Sequence, residues 1–134
     1  MILWLACAEP LDTATVDSSL DSAPQVLHDL AVTGDNYPHI GQIVGISVHA
    51  AGVVAIQDSM VLSDNSIAFS WEDVLRDGVE YTVDWYADNN DSGACDDGDH
   101  AWVREIGAFT SDAQIVLDHV NAAPYDYDAA CDTF

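Results

Sequence analysis

Tyr81-Thr82-Val83-Asp84-Trp85-Tyr86-Ala87 decides the fold class. Tyr81, Val83 and Trp85 alternate with Thr82 and Asp84, the period of two expected of a strand with one apolar face. The same alternation recurs upstream in Ile43-Val44-Gly45-Ile46-Ser47-Val48-His49, where Val44, Ile46 and Val48 share a face opposite Ser47 and His49. Val26–Val32, a run opening at Val53-Val54-Ala55-Ile56, the alternating Ile67, Phe69 and Trp71, His100–Ile106 and Ile115–Val120 read as further strands. Turn residues at Gly34-Asp35-Asn36 and Ser63-Asp64-Asn65-Ser66 punctuate them. Only Trp71–Arg76 loses the alternation, and a single helical turn is expected there. Roughly seven short strands without a long helical pattern predict an all-β sandwich.

One corner sharpens that expectation. Leu75-Arg76-Asp77-Gly78-Val79-Glu80-Tyr81 resembles the Leu-x-x-Gly-x-x-Tyr corner of fibronectin type III and related immunoglobulin-like sandwiches. The resemblance implies an immunoglobulin-like β-sandwich in which Tyr81, opening its strand, returns a hydrogen bond across the preceding bend.

Composition restricts the partners. The 134 residues carry 24 Asp and Glu against two Arg and no Lys, a formal net charge of -22. Such a surface repels phosphate, which excludes nucleic acid and anionic lipid as partners of a basic patch and favours cations. Hydrophobic residues make up 49% of the chain and four Trp are present, so a packed core is expected rather than disorder.

The chain divides into three parts. Met1-Ile2-Leu3-Trp4-Leu5-Ala6-Cys7 resembles the cleavage box of bacterial lipoproteins. The resemblance implies a truncated signal-like segment at 1–7 and lipidation of Cys7. It also implies an extracytoplasmic location at the bacterial surface or in the periplasm, with membrane contact only through the anchor. Residues 8–24 are small, polar and acidic, the composition of a flexible linker. Residues 25–134 form the sandwich domain. With Cys7 acylated, Cys95 and Cys131 remain as a disulfide pair; two separate thiols are the alternative.

Asp88-Asn89-Asn90-Asp91-Ser92-Gly93-Ala94-Cys95-Asp96-Asp97-Gly98-Asp99 has the spacing of a twelve-residue calcium loop. Asp88, Asn90, Ser92, the Ala94 carbonyl, Asp96 and Asp99 take the ligand positions, and Gly93 takes the sharp turn. The stretch also resembles the excalibur calcium-binding loop through Asp88, Asn90, Ser92, Gly93 and Cys95, which implies Ca2+ as a bound ion. Asn90 and Ser92 are uncharged and Asp99 is shorter than Glu, so affinity in the range of about 10⁻⁴–10⁻³ M or somewhat tighter is expected. A solvated acidic hairpin, or an acidic surface adapted to salt, would leave the same residues. Five of the 24 acids fall within these twelve positions, an enrichment that favours the ion.

Three histidines stand in local motifs: His39 in Pro38-His39-Ile40-Gly41-Gln42, His100 in Asp99-His100-Ala101-Trp102 and His119 in Asp118-His119-Val120-Asn121. Together with the acidic loop, these motifs resemble a group of uncharacterised secreted bacterial β-sandwich proteins, a resemblance that implies a shared site and no activity. Neutral imidazoles suit Cu2+ or Zn2+. The strand count is expected to place His49, His100 and His119 at one end of the sandwich and His39 at the other, so the trio is one site only if the topology differs. The alternative is that each histidine caps a loop through hydrogen bonds.

No nucleophile elbow or phosphate-binding loop occurs, and catalytic residues are not assigned. The expected function is a metal-binding β-sandwich module, calcium-stabilised, with copper or zinc on histidines. Two rivals are a carbohydrate- or protein-adhesion domain with purely structural calcium, and a metal-dependent enzyme built on His39, His100 and His119. Trp85, Tyr86 and Trp102 offer a sugar-stacking platform only if they leave the core.

Overall fold

A computed structural model describes residues 24–120 and 125–134; Cys7 and nearly all of the expected linker lie outside them. Seven strands form two sheets: β1 (Leu27–Gly34), β2 (Ile43–Ala50), β3 (Val53–Val61), β4 (Ile67–Arg76), β5 (Glu80–Ala87), β6 (His100–Ala108) and β7 (Ala113–Val116). One sheet has the order β4-β1-β7 and the other β3-β2-β5-β6. All pairs are antiparallel except β1 with β7. The all-β sandwich is as expected from the alternation.

The alternating residues meet between the sheets. Val44, Ile46 and Val48 from β2 and Tyr81, Val83 and Trp85 from β5 face Leu30 and Val32 of β1, Ile67 and Phe69 of β4 and Ile115 of β7 in one core. Their burial supplies the main favourable term for folding. The bend before β5 closes as the corner resemblance implies: the Arg76 backbone N–H donates to the Tyr81 hydroxyl at 2.9 Å.

Trp71–Arg76 is not helical, contrary to the expectation above. It is the second half of β4, and its alternation fails because the strand bulges. Leu30 pairs with Trp71 and His28 with Leu75, so four steps along β4 answer two along β1. Asp73 takes φ of 55° within the bulge, and its N–H donates to Asp29 Oδ1 at 3.0 Å.

Beyond β7 the chain stays on β1. Leu117 N–H donates to the Thr33 carbonyl at 2.7 Å and His119 N–H to the Asp35 carbonyl at 3.0 Å. Gly34 permits that approach, since a Cβ there would overlap the Leu117 carbonyl. At the C-terminus, α1 (Tyr127–Ala130) and a short 3-10 turn (Cys131–Thr133) cover the outer face of the four-stranded sheet. Ala130 packs with Tyr86 and Ala101 there, and the Phe134 ring meets Tyr86 edge-on at 4.8 Å between centroids.

Candidate metal centre

Strand direction brings three histidines together. The loop from β1 delivers His39 just before β2 starts. β2 runs antiparallel to β5, so the start of β2 lies beside the end of β5; β6 turns back from there with His100 paired to Ala87. β7 runs parallel to β1 and therefore leads to the same end, carrying His119. His39, His100 and His119 thus share one end, while His49, at the far end of β2, pairs with Thr82. The expected separation of His39 from the other two is wrong, because starts of even-numbered strands and ends of odd-numbered ones coincide here.

The convergence is tight. His39 Nε2 lies 3.1 Å from His100 Nδ1 and 3.0 Å from His119 Nε2, and His100 Nδ1 lies 2.9 Å from His119 Nε2. These three side chains are the group among the described residues whose ligand atoms come close enough to hold a metal ion. His39 and His119 are buried and His100 is half-buried. Aromatic rings wall the group: Tyr37 and Trp102 meet His119 edge-on at 5.4 and 5.1 Å, and Tyr125 stacks on His100 at 4.2 Å.

Hydrogen bonding alone does not satisfy this triangle. Each ring nitrogen either carries a hydrogen or presents a lone pair, so of three mutually adjacent nitrogens at least two are alike. Whatever the tautomers, one contact sets like against like. A cation accepted by three lone pairs removes the conflict. His39 Nε2, His100 Nδ1 and His119 Nε2 are the atoms that would hold such an ion, and a metal on three imidazoles would supply Lewis acidity there.

Local sequence explains how His39 is held. His39-Ile40-Gly41-Gln42 is a tight turn in which Gln42 N–H donates to the His39 carbonyl at 2.9 Å. Gly41 has φ of 88°, the value that the third position of a type II turn demands. The turn is tied to β3's exit, with Gly41 N–H donating to the Leu62 carbonyl at 2.8 Å and Leu62 N–H to the Gln42 carbonyl at 2.9 Å. It brings the side chains of its first and last residues together: His39 Nδ1 lies 2.8 Å from Gln42 Oε1. The sequence reading did not assign Gln42, although Gly two residues after a His, followed by an amide, signals such a turn. Asp99 and Asp118 do not orient the rings that follow them; their carboxylates accept backbone N–H groups of Asn89, Asp96 and Asp35 instead.

Proton competition at the site is weak. Burial, then the neighbouring His39 and His100, pull the His119 pKa from 6.5 down to about 4, and burial followed by His39 lowers that of His100. Both are neutral near pH 7, the form that binds metal. A depressed pKa also fixes the sign of the pH effect on the metal-free protein. The unfolded chain binds a proton at His119 near pH 6.5 while the folded chain resists until about pH 4, so stability is full above 6.5 and declines as pH falls between them. Thermal melts of metal-free protein are expected to drop by several degrees from pH 7 to pH 4.5, with His119→Gln losing part of that dependence.

The acidic loop closes on itself through its two ends. Asp88 and Asp99 are buried, at 1% and 0% exposure. Asp88 accepts Ser92 N–H at 3.0 Å and Gly93 N–H at 2.8 Å, and Asp99 accepts Asn89 N–H at 2.9 Å and Asp96 N–H at 3.0 Å. Asn90 Nδ2 donates to Asp96 Oδ1 at 2.6 Å, and Ser92 Oγ donates to the Ala94 carbonyl at 3.1 Å. Burial above all, and then Asp88 and Asp96, push the Asp99 carboxyl above the usual range, against the lowering effect of its backbone donors. Cys95, within this loop, lies at disulfide-bonding distance from Cys131.

The other histidines form pairs with carboxylates: His28 Nε2 lies 3.0 Å from Asp77 Oδ1 and His49 Nε2 lies 2.9 Å from the buried Asp84. Of the aromatic residues considered for a sugar-stacking platform, Trp85 and Tyr86 are each 5% exposed and stay in the core. Comparisons of the chain with protein-family models, with curated proteins and with solved structures find no match. Fold and site together define a class: a β-sandwich whose buried three-histidine group could hold a metal ion.

Proposed function

We propose that this protein is an extracytoplasmic metal-binding module that carries one Zn2+ or Cu2+ on His39 Nε2, His100 Nδ1 and His119 Nε2. The observation that carries the reading is the triangle of ring nitrogens 2.9–3.1 Å apart, which no arrangement of hydrogens satisfies. An all-imidazole donor set suits these borderline metals better than Ca2+ or Mg2+, and the formal charge of -22 concentrates cations around the chain. The Cys95–Cys131 pair is compatible with an oxidising compartment. Among the described residues no helix is long and apolar enough to cross a membrane. Lipidation at Cys7 remains part of the proposal and rests on the sequence motif.

Metal analysis of untagged protein tests the reading. One equivalent of zinc or copper per chain, lost in the His100→Ala, His119→Ala double variant, is the expected result; protein that stays metal-free in excess of both ions overturns it. An enzyme is the second reading, because three histidines with an open position also describe catalytic zinc. Metal-dependent turnover abolished by the same substitutions would decide for it.

We also propose Ca2+ at residues 88–99. The twelve-residue spacing supports it, while the buried Asp88 and Asp99 carboxylates accept backbone N–H groups in the structure described above. Backbone donors already neutralise part of the repulsion between these carboxylates, so the ion's contribution is expected to be smaller than that of the histidine-bound metal. A calcium-selective chelator should lower the melting temperature by a few degrees while leaving zinc in place; an unchanged melt removes calcium from the proposal.

A further inference from the structure

We propose that Gln42 is a positioning residue of the histidine group: its amide oxygen holds His39 as the Nδ1–H tautomer and so presents the Nε2 lone pair to the focus shared with His100 and His119. The inference rests on the metal-site reading for its consequence, but not for its geometry.

Gln42 Oε1 accepts only, so the 2.8 Å contact with His39 Nδ1 places the ring hydrogen on Nδ1. The amide is oriented from its other side, where Gln42 Nε2 points to the Asn89 carbonyl at 3.4 Å. A flipped amide would set a donor against Nδ1–H and an oxygen against that carbonyl. The backbone leaves the side chain little choice of direction, because residues 39–42 are closed by their own turn and anchored twice to Leu62. The relay continues into the acidic loop: Asn89 N–H donates to Asp99 Oδ1, and Asp99 directly precedes His100.

The chemistry of the partner matters as much as its position. Metal-bound imidazoles commonly donate their second N–H to an acceptor that fixes ring and tautomer. Here the acceptor is a neutral amide, so it orients His39 without adding a negative charge to the site. Replacing the amide by a carboxylate would keep the orientation and increase the electron donation of the ring, favouring Cu(II) over Cu(I).

Nitrogen NMR of histidine-labelled, metal-free protein at pH 8, combined with zinc competition titrations, tests the role in wild type, Gln42→Leu and Gln42→Glu. Wild type is expected to show His39 as Nδ1–H. Gln42→Leu should show mixed tautomers and bind zinc about 10–100-fold more weakly. Gln42→Glu should restore both the tautomer and at least the wild-type affinity, and lower the copper reduction potential. Gln42→Met replaces Leu where the latter disturbs the turn. A His39 tautomer and zinc affinity unchanged in Gln42→Leu overturn the assignment. If wild type binds no zinc, the metal-site reading fails, while the metal-free tautomer spectrum still decides for or against Gln42.

Discussion

Zinc added to metal-free protein is expected to raise the melting temperature by about 15 °C or more. A ligand that binds only the folded state, present at about 1,000 times its dissociation constant, contributes about 4 kcal/mol. For a domain of this size each kcal/mol moves the midpoint by about 4 °C. The affinity has a structural source: a bound metal would replace the unsatisfied contact that three adjacent ring nitrogens cannot avoid. His39 and His119 are buried, so the metal-free form carries that conflict away from water. The shift should disappear in the His100→Ala, His119→Ala double variant, and His100→Gln, which keeps more of the side-chain volume, serves as a milder control for folding. An unchanged melt in excess zinc and copper would mean that the group is a structural cluster and not a site.

The fold was largely legible because one physical signal dominates it. Val44, Ile46, Val48, Val83 and Trp85 alternate with polar residues, and all five reach the core. Tyr81 was legible for a different reason: a seven-residue corner is local, and its hydrogen bond to Arg76 depends on no distant element. The β4 bulge was hidden because extra residues break the period of two without leaving another period behind. The candidate site was legible as residue types and motifs but not as a place. His39, His100 and His119 are separated by 61 and 19 positions and meet only through the directions of three strands. Their assembly is a property of topology, and an error in strand direction was enough to separate them. Gln42 was missed although its signal is local, since Gly41 specifies the turn that places it against His39.

Removing the Cys95–Cys131 bond is expected to destabilise the domain by about 2–4 kcal/mol, since closing a loop of this separation, 36 residues, constrains the unfolded chain by about that much. The C-terminal strap has other attachments. Asp126 N–H donates to the Ala101 carbonyl at 3.0 Å at the edge of β6, and Thr133 Oγ1 donates to the buried Asp84 at 2.8 Å. Gln57 Nε2 donates to the Thr133 carbonyl at 2.9 Å. These bonds are partly exposed, so without the covalent link the strap should open before the core does. Tyr125, at the head of the strap, stacks on His100, which ties the strap to the histidine group. The Cys95→Ser, Cys131→Ser variant is therefore expected both to melt lower and to release zinc faster to a chelator. A variant that melts lower but releases zinc at the wild-type rate would show that Tyr125 keeps its place through its own contacts. One that matches wild type in both would show that the hydrogen bonds to Asp84 and Ala101 suffice to hold the strap down.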